Sequence, residues 1–550
     1  MTTPFNSHVT AAPERAEPIN PQTLRQWVHD GQELAILDVR EKGAFARGHL
    51  LLARNAPLWR LELLIERLVP RRDTRIVLLD ADGSLLQRAT HKLKLLGYTN
   101  LAALHGGTAA WEQEGLQVFT GTNVVSKAFG EAIEEALHTP HIDVEALRQK
   151  VEAGADVVVV DGRTPEEFQR FSLPFAHSLP NGELVYRIEE LAPRPQTLIV
   201  VNCAGRTRSI LGAQTLINAG LENPVVALKD GTMAWLREGH ALRHGATSPL
   251  PEPSRNSLEK ARARAQQVAQ RAGVRHIDHA ELTRLESADE QRTLYRFDVR
   301  TAVEYRAGHL PGWRWAPGGQ LIQTTDQYIG TYHARVVIAD WDGVRAHTTA
   351  AWLAQLGHYE VFLYRPADYE KEHPTLALGQ EGLSVRTTGE PTAPWISASA
   401  LDALRSDAQA SVFDVDSSLA FAERHIEGAR FSAPDRLPEW LADVPASHTL
   451  VITSADGVLA RLVASELQNH HQRKAFALLG GNAGWFELNL PTAKGRADIL
   501  TGEDDDWYSP YVYETQAERE RKMHEYLTWE VALAEQIVRD GDVKFRLVHA

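Results

Sequence analysis

The chain has 550 residues, which at roughly 100–200 residues per domain implies three to five domains. Hydrophobic residues make up 43%, enough for packed cores and too many for wholesale disorder, and no stretch approaches the roughly 18–20 apolar residues that cross a bilayer. Lys and Arg number 58 against 72 Asp and Glu, a net charge of −14 that argues against nucleic-acid binding through a bulk basic field.

Read in chain order, one pattern recurs four times. Copy one, 16–120, opens on the amphipathic segment PQTLRQWVHDG. It continues through LDVREKGAFARGHL at 37–50 and the strand–helix stretch RIVLLDADGSLLQRATHKLKLLGY, and closes with ALHGGTAAW at Trp111. A connecting helix is expected over 126–137. Copy two, 139–245, repeats the order with HIDVEALRQKVEAG, VDGRTPEEFQRFSLPFA at 160–176, LIVVNCAGRTRSILGAQTLINAGL and ALKDGTMAW at Trp235. A Pro-rich SPLPEPS and a helix over 258–272 lead to copy three, 274–385. There FDVRTAVEYRAGHLPG at 297–312 keeps the pattern, but FLYRPADYE replaces the Gly-rich closure. Copy four, 394–496, has FDVDSSLAFAERHIEGA at 413–429 and closes with ALLGGNAGW at Trp485. The tail, 497–550, carries an acidic turn at 503–506, the aromatic run WYSPYVY and about 25 helical residues up to Asp540. It is expected either to pack or to join two copies of the chain into a homodimer, or to form a charged, solvated helix.

The apolar runs 157–160, 198–201 and 225–228 lack polar alternation, as strands buried on both faces of a parallel sheet do. Helical patterns separate them. Each copy is therefore expected to be an α/β unit with right-handed crossovers, with ligands bound beyond the carboxyl ends of the strands. The single cysteine, Cys203, stands at such an end, in Asn202-Cys203-Ala204-Gly205-Arg206-Thr207-Arg208-Ser209. A thiol in a tight strand-to-helix loop faces consecutive backbone N–H groups and the positive end of a helix dipole. Both are expected to lower its pKa and to hold an oxyanion beside the sulfur. Arg206 and Arg208 add local cations for an anionic substrate. The competing reading is a small buried hydrophobe.

The D-x-R turns, the Gly-His-Leu or His-Ile-Glu-Gly-Ala elements, the Cys loop and the Gly-rich turns before Trp together resemble rhodanese-homology domains. The whole resembles bacterial four-domain thiosulfate sulfurtransferases of the rhodanese type. That resemblance implies four tandem α/β domains, each a small parallel sheet flanked by helices. It implies Cys203 as the sulfur-accepting nucleophile, and Ala204, Gly205, Arg206, Thr207, Arg208 and Ser209 as the loop that surrounds the sulfur, with both arginines binding the donor. Copy two has 172–176, Ser-Leu-Pro-Phe-Ala, in place of the Gly-His-Leu-Pro-Gly of copy three, so a pocket contact is expected to differ. Asp80, Asp340 and Ser454 fall where Cys203 sits. A carboxylate cannot carry a persulfide, so these three copies are expected to be inactive and their acids to act as capping residues. Asp161 and Arg163 are expected to order the turn as an ion pair, and Lys229 either reaches the pocket or is a solvated surface lysine.

Sulfur transfer competes with phosphoryl transfer, because cysteine phosphatases place Arg one position further along than Arg208 stands from Cys203. The shorter loop suits a sulfur atom. Disulfide exchange lacks a second cysteine. No cofactor and no metal is expected, since the 23 histidines are scattered and HExxH is absent. The expected partners are a small anionic sulfur donor and a cyanide or thiol acceptor. A relay protein loaded with a persulfide by a partner is the alternative. A lone cysteine and an N-terminal stretch without a signal-type apolar core fit a cytoplasmic protein.

Overall fold

The computed structural model describes residues 15–287, 291–371, 375–379 and 391–548. The expected limit of copy three at 385 lies outside them. Four α/β units follow one another, each built on a mostly parallel sheet. In copy two the strand order is His141–Ile142, Val225–Leu228, Leu198–Asn202, Val157–Asp161, His177–Ser178, every pair parallel. Copies three and four repeat this order. The central strands are aliphatic because helices cover both faces, and Val159, Val160 and Ile199 to Val201 are buried. The two connecting helices span Val124–Leu137 and Arg255–Arg271.

The repeated motifs have structural work in every copy. Asp161 and Arg163 are 0% and 1% exposed. Arg163 donates through Nε and Nη2 to Asp161 and through Nη2 to the Phe171 carbonyl, at 2.6–3.2 Å. Asp38–Arg40 and Asp298–Arg300 repeat the arrangement without any cysteine, so the pair orders the turn. The Gly-rich turn seats the loop that follows the central strand. Gly231 has φ +55°, and a Cβ there would stand 2.3 Å from the Cys203 carbonyl oxygen. Gly107 and Gly481 take the same position under Asp80 and Ser454. The His of copies one, three and four stacks on Phe45, Tyr305 and Phe421, with ring centroids 3.7–3.8 Å apart. In copy two the buried Ser172, bridged to Arg243, takes the histidine position, so the expected match of 172–176 to 308–312 shifts by one residue: Phe171 stands at Gly308, and Leu173-Pro174 at Leu310-Pro311. The departure at 172–176 thus begins by changing the packing beneath a helix.

The copies pair one with four and two with three. One apolar cluster joins Leu61 and Ile65 to Leu459 and Val463, and another joins Ile210 and Leu211 to Leu321 and Trp352. Trp352 also donates to Thr215 Oγ1 at 2.8 Å. A short strand of copy three, Thr331–Tyr332, adds antiparallel to Leu34–Asp38 of copy one, which no local pattern announces. The tail runs past copy one, over the Cys203 loop, and along the connecting helix as Gln516–Asp540. It is a packing arm within the chain. Met523, Leu527, Leu533 and Ile537 form its buried face together with two acids, Glu530 and Asp540.

Candidate active site

The strand Leu198–Asn202 delivers Cys203 to its carboxyl end, and the helix Thr207–Asn218 begins four residues later. Thr232 N donates to the Cys203 carbonyl at 2.9 Å and Met233 N to that of Ala204 at 3.1 Å, which locks the loop from behind. Asn202 Nδ2 donates to Asp161 Oδ2 at 3.1 Å, tying the loop to the buried D-x-R pair.

The four equivalent loops differ in what fills them. Asp80 accepts from the N–H groups of Gly83 and Leu85 at 2.5 and 2.8 Å. Asp340 accepts from Gly343, Val344 and Ala346 at 2.7–3.1 Å, and burial together with the Asp342 charge pushes its carboxyl up to about 8. Ser454 Oγ accepts from Ala460 N at 3.2 Å. The two aspartates cap their own loops, as expected. Among the described residues no side-chain oxygen accepts from the N–H groups of 204–208. Copy two thus differs from copies one and three, whose aspartates take up amides three to five residues ahead, in leaving its loop amides for a bound anion.

Cys203 is 2% exposed. Its thiol lies 3.6 Å from Ser209 Oγ, to which it can donate, and Ser209 Oγ donates to the Arg206 carbonyl at 2.7 Å. Burial pushes the thiol above its ordinary range. Arg208 and Ser209 pull it down, and Glu530 adds to the rise. Against the expected low-pKa thiolate, burial under the tail strips the thiol of solvation, and that loss outweighs the pull of Arg208 and Ser209. Alkylation of Cys203 by iodoacetamide should accordingly be slow at pH 7 and accelerate through and beyond the free-thiol value of about 8.5. A rate already at its plateau below pH 7 would contradict the raised value.

The two arginines have different fates. Arg208 makes a bidentate pair with Glu167, at 2.6 and 2.8 Å. Burial works against the Glu167 carboxylate, but the Arg208 charge and hydrogen bonds outweigh it and hold the carboxyl at about 2. The same guanidinium exerts the largest downward pull on Cys203. Arg206, expected at the donor, is committed elsewhere. It binds Glu131 at 2.8 Å and Asp230 at 3.0 Å, and Glu134 as well, so it ties the loop to the connecting helix and the Gly-rich turn. Lys229 is exposed, as the solvated reading holds. Ala204 keeps partial exposure, and Gly205 is buried against the tail.

The residues missed in sequence are on that tail. Tyr511 donates to the Ala204 carbonyl at 2.9 Å, its hydroxyl lies 2.6 Å from Thr232 Oγ1, and its ring packs 4.5 Å from that of Phe171. Tyr526, Leu527 and Glu530 approach Gly205. The aromatic run was visible as composition, but nothing local reports contacts across some 300 residues.

The fold and the site define an α/β protein of four tandem domains with equivalent strand-to-helix loops, one of which carries a thiol. The chain belongs to the rhodanese family: the Rhodanese-like domain matches residues 20–114, 143–238, 280–366 and 397–488. The crystal structure of a thiosulfate sulfurtransferase from Pseudomonas aeruginosa is similar over 97% of this chain and 100% of that one, with 39% identity and a TM-score of 0.89. A sulfurtransferase of Allochromatium vinosum is 34% identical over 98 residues, 18% of this chain and 89% of its own length. "Putative sulfur carrier protein YrkF" of Bacillus subtilis is 29% identical over 102 residues, 18% of this chain. The chain spans about half, 54%, of that relative's length. No helix among the described residues is long and apolar enough to cross a membrane.

Proposed function

We propose that the protein is a sulfurtransferase of the reducing cytoplasm, in which Cys203 takes a sulfane sulfur from thiosulfate or a related anionic donor. The observation that carries this reading is the contrast among the four loops: two are filled by their own Asp, one holds a serine, and only that of copy two holds a thiol, with no side-chain oxygen on the amides of 204–208 among the described residues. The similarity to the Pseudomonas enzyme over nearly the whole chain supports it.

In the reaction, Cys203 loses its proton to solvent and Sγ attacks the outer sulfur of thiosulfate. The new S–S bond forms as the old one breaks, and sulfite leaves with the electron pair. Cyanide or a thiolate then attacks the outer sulfur of the persulfide, and Cys203 departs as thiolate. The loop amides hold the terminal sulfur, and Arg208 supplies the nearby positive charge.

Incubation with thiosulfate should add one sulfur atom to the intact mass and release sulfite. Arg208→Ala should raise the donor KM by about tenfold, with kcat less affected and the difference shrinking as salt rises. An unchanged KM would remove Arg208 from donor binding. Burial of Cys203 beneath the tail favours a second reading, a relay loaded by a persulfide-bearing protein. That reading requires slow turnover with small donors and fast loading from the protein donor.

A further inference from the structure

The helix Gln516–Asp540 brings one carboxylate into the wall of the Cys203 loop. Glu530 is 1% exposed. Its Oε1 accepts from Thr207 Oγ1 at 2.6 Å, whereas Oε2 is buried without a hydrogen-bond partner. Oε2 also lies 3.3 Å from the point where a Cβ of Gly205 would stand, so it sits close against the loop backbone.

The nearby cations are engaged elsewhere. Arg206 serves Glu131, Glu134 and Asp230, and Arg208 serves Glu167. Lys127 Nζ donates to the Thr122 carbonyl and sits 4.7–5.2 Å from the ring centroids of Trp507, Tyr526 and Trp529. Burial pushes its ammonium down to about 8, with Glu530 the chief group opposing that fall. Glu530 therefore stands beside the loop amides with one carboxyl oxygen that accepts no hydrogen bond among the described residues.

We infer that Glu530 is a specificity-determining residue of this site, disfavouring dianionic sulfane donors relative to monoanionic and neutral ones such as organic thiosulfonates and persulfides. The inference rests on the reading that Cys203 accepts sulfur from small donors. An anion held by the loop amides lies in the field of Glu530 with little water between them. The interaction energy scales with the donor's charge, so the factor by which Glu530 weakens a dianion is the square of the factor for a monoanion.

The test compares full-length wild type with Glu530→Gln, whose amide oxygen can still accept from Thr207. Thiosulfate and methanethiosulfonate serve as donors and cyanide as acceptor. The ratio of kcat/KM for thiosulfate to that for methanethiosulfonate should rise about threefold, any gain from easier ionisation of Cys203 being common to both donors. Glu530→Asp, which keeps the charge, should retain the wild-type ratio between donors. An equal change for both donors, no change, or the same shift in Glu530→Asp overturns the inference and leaves the sulfurtransferase reading standing. If neither donor adds sulfur to Cys203 in the intact mass of either protein, the underlying reading fails, and the inference with it.

Discussion

Replacing Cys203 by serine is expected to lower thiosulfate turnover by at least about 10³-fold and to abolish the addition of sulfur to the intact protein. Every step of the proposed cycle passes through one sulfur atom. A serine hydroxyl is far less acidic and forms no stable bond of the required kind. No other cysteine exists in the chain to take over the reaction. The substitution removes little volume from a buried position beside Ser209, so the fold should persist, and unchanged circular dichroism and an unchanged unfolding profile would verify this. Turnover by the serine protein near the wild-type rate would end the assignment of Cys203.

Arg163→Leu should be the most destabilising of the substitutions near the site that leave the nucleophile in place. Asp161 would keep its charge in a fully buried position, with Asn202 Nδ2 and the backbone N–H of residue 163 as its remaining donors. Breaking a buried pair from one side costs about 3–5 kcal/mol, because the stranded charge has no solvent. In a chain of several domains a single unfolding midpoint mixes transitions, so the loss is better read as faster amide hydrogen exchange in the strand Leu198–Asn202. Asp161→Asn combined with Arg163→Leu should recover part of it, since the stranded charge is then gone. Equal exchange in the single variant and the wild type would show that the pair contributes no stability.

Much of the site is local in sequence, and local features were legible there. The strand ending in Asn202, the loop from Cys203 to Arg206 and the helix from Thr207 lie within about 20 residues, and their order repeats in each copy. The ion pair of Asp161 with Arg163 spans two residues, and its recurrence in copies without cysteine marked it as structural. The capping roles of Asp80 and Asp340 follow from acceptors that reach amides three to six residues ahead. The fate of Arg206 was not legible. Glu131 lies 75 residues away on a helix whose orientation depends on the packing of copy two against its neighbours.

By itself, then, the chain's order of residues determined four α/β repeats, one thiol at a strand end and two loops closed by their own aspartates. Each of these follows from short-range sterics, hydrogen bonding and hydrophobic period. Tertiary structure alone decided that the thiol is buried and its pKa raised, that Arg208 and not Arg206 acts on it, and that Tyr511 and Glu530 form its wall. Solvation and charge balance depend on which distant surfaces meet, and those are set by the packing of all four copies and the tail together.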